Sequence, residues 1–267
     1  CMEQRKTGPA PAADEAFSDR PQEDIIAGRN AVAEALRAGR AIDSVLLAKG
    51  DRTGSISALA AQCRRKGLLV KEVDSRKLDA LCGPNHQGIA ALAACKETVT
   101  LDELFAAAEA KGEPPFFVVC DELEDPHNLG AILRTAETAG VHGVVIPKRR
   151  SAGLTSAVYK ASAGAVEYVP VARVSNITDA LREMKKRGVW VYGLDMDGET
   201  WCSVDMKGAA AVVVGSEGRG ISRLVKEQCD FIVSLPMRGH ITSLNASVAC
   251  GIVLYEAARQ RQGLAAK

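Results

Sequence analysis

From residue 23 onward the chain alternates between two apolar patterns. Helical spacing runs through NAVAEALRAG (30–39), SISALAAQCRRKG (55–67) and SRKLDALCG (75–83). Each segment opens on Asn30, Ser55 or Ser75, residues able to cap a helix, and closes on a glycine able to end one. Each is followed by a strand-like run: IDSVLLA (42–48), LLVKEV (68–73) and GIAALAA (88–94). This reads as a small α/β domain over residues 23–95. Residues 1–22, rich in Ala, Pro and charge without any period, predict a disordered tail.

Residues 96–114 read as a linker holding one short helix, LDELFAAAEAKG (101–112), punctuated by Pro114-Pro115. A second domain, 115–267, opens with FFVVC (116–120). It continues through GVVIP (143–147), EYVPVA (167–172), VWVYGLD (189–195), AAVVVG (210–215) and FIVSLP (231–236). Continuous apolar runs with helices between them predict a mainly parallel sheet covered on both faces. The fold class is therefore α/β, without an internal repeat.

Three strand exits carry unusual loops, and in an open α/β sheet ligands bind outside the carboxyl ends of the strands. After 116–120 comes DPHNLGAILRTAETAGV (125–141), a helix read as capped by Asn128 and stopped by Gly140. Gly130 and Ala131 leave its side near Arg134 almost bare, as if something approached the backbone there. GSEGRG (215–220) has the order G-x-x-G-x-G, neither a dinucleotide fingerprint nor a P-loop. LPMRGHITSLNASVACG (235–251) runs from a strand end into the last helix at Ser243-Leu244-Asn245. Taken singly, Asn128 and Asn245 read equally well as caps, and Glu217 as an acidic residue at a helix start. Together the three loops point to one composite site.

Composition narrows the partners. A net charge of +1 does not advertise nucleic acid, and basic clusters such as Arg64-Arg65-Lys66 read first as solvated surface. Aromatic residues are 4% of the chain, too few for a broad base-stacking platform, so any RNA would be held through phosphate and shape. The eight cysteines form no C-x-x-C pair and no metal-ligand spacing, which fits a reducing cytoplasm and predicts no metal. No apolar run reaches membrane-spanning length.

Three segments then carry a resemblance: D-x-x-x-DP-x-NLGAI-x-R-T-A (121–136), V-x-GSEG-x-G (213–220) and LPM-x-G…SLNASVA (235–249). In order and spacing they resemble the motifs of the SpoU/TrmH family, RNA ribose 2′-O-methyltransferases of the SPOUT class. Residues 24–95, with HQGIAA (86–91), resemble the substrate-binding domain of the branch that modifies guanosine in 23S ribosomal RNA. The resemblance implies an α/β domain with a trefoil knot near its C-terminus, a homodimer, and S-adenosylmethionine bound in the knot near the subunit contact. It places Asn128, Arg134, Glu217, Ser243 and Asn245 in the catalytic set. Gly215, Leu235, Met237, Gly239 and Leu244 would line the cofactor pocket. Arg134 is the proposed general base of the family; alternatively its guanidinium, normally always charged, holds a phosphate or stabilises the developing alkoxide.

The expected function is methyl transfer to a guanosine 2′-hydroxyl of 23S ribosomal RNA. Transfer-RNA methylation by the same chemistry and a non-catalytic ribosome-assembly role stand as alternatives. Arg29, Arg64, Arg65, Lys66, Arg76 and Lys77 are the candidate phosphate contacts of the N-terminal domain.

Overall fold

The computed structural model describes residues 23–50, 54–94 and 96–265. The tail expected over residues 1–22 lies outside them. The N-terminal unit runs β1 (Glu23–Ala27), α1 (Arg29–Arg37), β2 (Ile42–Ala48), α2 (Gly54–Arg65), β3 (Leu69–Val73), α3 (Ser75–Cys82) and β4 (Ile89–Ala94). Its 4-stranded sheet has the order β1-β4-β2-β3. β2 and β3 are parallel, and β4 runs antiparallel to β1 and β2. β1 was not legible as a strand. Its pairing with β4 recruits it.

The three helix starts differ from the sequence reading. Gly28, at φ +100°, precedes α1, and Asn30 lies inside the helix. Asp74, not Ser75, caps α3 by accepting from Arg76 N at 2.9 Å. Ser55 lies within α2 and accepts from Arg29 Nη1 at 3.0 Å. At α1 and α3 a residue one or two places earlier takes the position that local propensity assigned.

After α4 (Leu101–Lys111), the C-terminal unit comprises β5 (Phe116–Cys120), α5 (Pro126–Thr138), β6 (Gly143–Pro147), α6 (Ser156–Ala161), β7 (Val171–Val174) and α7 (Ile177–Lys186). It closes with β8 (Trp190–Thr200), β9 (Ala210–Val214), α8 (Arg223–Lys226), β10 (Phe231–Ser234) and α9 (Ala246–Arg261). The 6-stranded sheet has the order β10-β8-β9-β5-β6-β7, with every pairing parallel. The strand expected at 167–172 is displaced. Ala165–Glu167 form a 3-10 turn, and β7 begins only after Pro170.

β5 and β9 are buried along their whole length, and their period of two divides one apolar run between two layers. Phe116, Val118 and Cys120 face Leu129, Ile132 and Leu133 of α5 and Cys250, Val253 and Leu254 of α9. Phe117 and Val119 face Leu104, Leu181 and Met184 on the other side. Each fully buried side chain of this size contributes about 1.5–3 kcal/mol. The central strands thus form a rigid floor whose carboxyl ends present the loops.

Candidate active site

β5 and β9 are neighbours, so the loops after them leave the sheet side by side. The second loop is a closed turn. Ser216 and Gly220 exchange backbone hydrogen bonds of 3.1 and 2.9 Å. Gly218 and Gly220 hold φ of +81° and +66°, where L side chains are strained. Gly215 serves a different need. A Cβ there would collide with the backbone of Gly220 and Ile221. The G-x-x-G-x-G order thus records two left-handed positions and one close approach.

Asp121, at the end of β5, is buried and fastens this loop. Its backbone N donates to Val214 O (2.8 Å), and its Oδ2 accepts from Ser222 N (2.7 Å). Asp121 opens the first motif but is not among the candidate site residues read from the sequence. An acidic residue directly at the exit of a fully apolar strand was the available signal.

Helix α5 begins with Asp125 as its cap, accepting from His127 N at 2.8 Å, and with Pro126 at its first position. Asn128 is therefore not the cap. It lies inside the first turn, buried, with its amide turned toward the two other loops. Asn128 Nδ2 donates to Glu217 Oε1 at 2.9 Å. Asn245 Nδ2 donates to the same oxygen at 2.6 Å and to Asn128 Oδ1 at 2.9 Å. Asn245 is also a true cap: its Oδ1 accepts from Ser247 N (3.0 Å) and Val248 N (3.3 Å) at the start of α9. One hydrogen-bonded triangle ties all three strand exits together, with both amides aimed at one carboxylate oxygen.

A cleft of about 260 Å³ opens beside this triangle, lined by Leu123, Glu124, Asp125, Asn128, Glu217 and Arg219 among others. At its mouth Arg150 Nη1 donates to Glu122 Oε1 at 3.0 Å, and both residues hold left-handed backbone (φ +55° and +52°). Beneath the site Cys120 and Cys250 are buried, and burial pushes the Cys250 thiol up to about 12. These thiols stay protonated and pack as small hydrophobes.

The third loop, 235–244, makes no backbone hydrogen bond to the described residues. Met237, Ile241 and Leu244 are exposed along it, and a Cβ at Gly239 would point into open space. Unpaired amides and carbonyls beside apolar side chains give donors and acceptors for an adenosine and apolar surface for an aliphatic sulfonium chain. S-adenosylmethionine suits these residues.

Not every predicted residue joins the triangle. Arg134 lies six residues beyond Asn128 on α5, about 240° around the helix and about 9 Å along it. It is exposed, and its guanidinium has no hydrogen bond or ion pair among the described residues. Ser243 is exposed in the third loop. Gly130 overturns the expectation of an open helix face. A Cβ at Gly130 would collide with Ala161 of α6, so the missing side chain admits a neighbouring helix and not a ligand. Among the described residues no group of three or more His, Cys, Asp or Glu could hold a metal ion, and no helix is long and apolar enough to cross a membrane.

Comparison with known proteins identifies the family. The SpoU rRNA Methylase family model matches residues 115–255, and the model for RNA 2′-O ribose methyltransferase substrate binding matches residues 25–99. YacO of Bacillus subtilis (strain 168), named for the TrmH family of tRNA/rRNA methyltransferases, is 48% identical over 90% of this chain and 97% of its own. An AdoMet-bound rRNA methyltransferase from Sinorhizobium meliloti has a TM-score of 0.72 and 25% identity, covering 91% of this chain and 88% of that one. The TrmH/SpoU tRNA modifying enzyme of A. aeolicus reaches 0.51 and 30%, covering 61% of this chain and 83% of its own. The chain belongs to the SpoU family of RNA methyltransferases.

Proposed function

We propose that this enzyme methylates the ribose 2′-hydroxyl of a guanosine in 23S ribosomal RNA. The observation that carries the ribosomal choice is the separate N-terminal sheet, residues 23–95, joined by the 96–114 segment to a methylase domain at 115–267. The similar structure named for rRNA covers 91% of this chain, against 61% for the one named for tRNA. Arg64, Arg65, Arg76 and Lys77 are exposed and available to phosphate. Lys66 and Arg29 are committed within the protein: Lys66 Nζ donates to Leu36 O (2.6 Å), and Arg29 Nε donates to Gln87 O (3.2 Å).

S-adenosylmethionine supplies an already activated methyl group. What remains for the protein is alignment and management of one proton. The Asn128–Glu217–Asn245 triangle holds the three loops in register around the reacting ribose. Gly215, Leu235, Met237, Gly239 and Leu244 bring backbone and apolar surface to the cofactor, with Ser243 beside the ribose. The Arg134 guanidinium binds the phosphate next to the target and stabilises the developing alkoxide, while water takes the proton.

A homodimer completes this reading. Val248, Ile252 and Tyr255 are exposed at helical spacing on α9, in line with exposed Leu244. Such a stripe suits a second copy of the chain and would bring the two sites near the contact. The C-terminal knot belongs to the same proposal. After β10 at the sheet edge, the chain returns through 235–245 to lay α9 against α5 and β9.

The test is methyl transfer to protein-free 23S and transfer RNA, followed by mass spectrometry of the digested products. A 2′-O-methylguanosine in an unpaired large-subunit loop is expected. Preferential modification of transfer RNA would move the assignment to that branch, and no transfer to either would leave a binding role.

A further inference from the structure

The segment Ser156–Glu167, comprising α6 and the 3-10 turn, lies between the N-terminal unit and α5. On the α5 side, a Cβ at Gly130 would sit 2.9 Å from Ser162 N and 3.0 Å from Val158 O, so the two elements meet backbone to backbone. On the other side, Gly164 (φ +89°) is where a Cβ would run into Glu34 of α1. Tyr168 Oη donates to Glu34 Oε2 at 2.7 Å beside it.

Between these approaches sits a buried charge cluster shared by the two domains. The Arg40 guanidinium is 9% exposed, Glu167 4% and Asp24 15%. Arg40 donates to Asp24 Oδ2 (2.9 Å), Glu167 Oε2 (3.2 Å), Tyr159 Oη (2.9 Å) and Ala94 O (3.0 Å from Nε). Tyr159 Oη in turn donates to Asp24 Oδ2 at 3.1 Å. Lys96, at the start of the connecting segment, donates its backbone N to Asp24 Oδ2 (3.0 Å) and its Nζ to Val166 O. Domains joined by a short segment ordinarily shift against one another. Here an interlocked guanidinium and the close approach of Gly164 to the Glu34 side chain oppose that, because separating the units would strand buried charge.

We propose that Ser156–Glu167 is a rigid coupler that fixes the RNA-docking domain at one distance and angle from α5. Arg40 and Gly164 are then positioning residues that select which nucleotide reaches the Asn128–Glu217–Asn245 site. The proposal rests on the reading of the N-terminal domain as the RNA dock. Gly130 lies on α5 between Asn128 and Arg134, so the coupler touches the helix that carries both. A misplacement of about 1 Å at a reacting centre costs roughly 10²-fold in rate, so a small rotation of the dock is enough to change the target.

The experiment uses full-length Arg40→Met, with Asp24→Asn as the milder second variant. Two substrates are compared: structured 23S RNA, and a short unstructured oligonucleotide carrying the target guanosine. On structured RNA kcat/KM is expected to fall roughly 10- to 100-fold, with methyl groups spreading to neighbouring nucleotides. Cofactor affinity and oligonucleotide turnover are expected to stay at wild-type values. In the free protein, hydrogen exchange over residues 162–169 should accelerate. A variant that keeps one modified nucleotide and wild-type kcat/KM overturns the proposal, as does an equal loss on both substrates or unchanged exchange. Failure of the underlying dock reading has its own signature: Arg64→Glu with Arg65→Glu would leave affinity for structured RNA unchanged.

Discussion

Asn245 Nδ2 lies 2.9 Å from Asn128 Oδ1, although the two residues are 117 apart in the chain. The same amide reaches Glu217, while the other end of Asn245 caps α9. One side chain therefore serves both stability and alignment, and substitution can separate the two. Asn245→Ala removes both and should cost about 1 kcal/mol through the cap. Asn245→Asp keeps the capping oxygen but removes the donors and sets a second carboxylate against Glu217. Thermal melting should therefore show a loss for Ala that salt does not relieve, and for Asp a loss from the Glu217 repulsion that added salt reduces. Turnover should fall by roughly 10²-fold in both. An active Asp variant would show that the triangle does not align the site.

Arg134→Ala is expected to lower turnover by roughly 10²–10³ with cofactor affinity intact, the range for losing one group that stabilises a developing oxyanion. Single-turnover rates and titration calorimetry separate these effects. Arg134→Lys keeps the charge without the planar fork, so substantial activity in that variant would support an electrostatic role. Lost cofactor binding in either variant would contradict the assignment.

The α9 stripe gives a prediction about assembly. Light scattering on the wild-type chain should return twice the mass of one chain. Ile252→Arg or Tyr255→Asp should return a single chain, since a charge buried in an apolar contact is strongly unfavourable. A wild-type monomer at micromolar concentration would remove the dimer from the proposal.

His142 predicts an acid-sensitive window. Its side chain is fully buried, Nδ1 accepts from Phe116 N at 3.1 Å, and Nε2 donates to Glu113 Oε2 at 3.1 Å. Burial, aided by Lys111 and Arg261 and opposed by Glu113, holds the imidazole below its ordinary range. As pH falls through about 6.5, the unfolded chain takes up the proton first. The stability present above that value is then lost until the folded imidazole also protonates. Denaturant melts between about pH 7 and 5 should show this decline. His142→Asn should be less stable throughout but flatter over the same window. An unchanged slope would assign the decline elsewhere.

Local and periodic features were legible in the chain alone. Short apolar runs such as FFVVC and AAVVV bounded by turn residues read as buried strands, and Gly218 and Gly220 mark a tight turn. The three polar strand exits were legible for the same reason, because a parallel sheet places its carboxyl ends together. Tertiary packing decided everything that depends on a distant partner. Asn128 looked like a cap because Asn favours caps, but Asp125 fills that place and frees Asn128 to meet residues 89 and 117 positions away. Gly130 looked like open space, because a missing side chain reads the same whether a ligand or another helix fills the gap. Arg40 gave no signal in the chain. Its role exists only because folding brings Asp24, Tyr159 and Glu167 around one guanidinium that water no longer solvates.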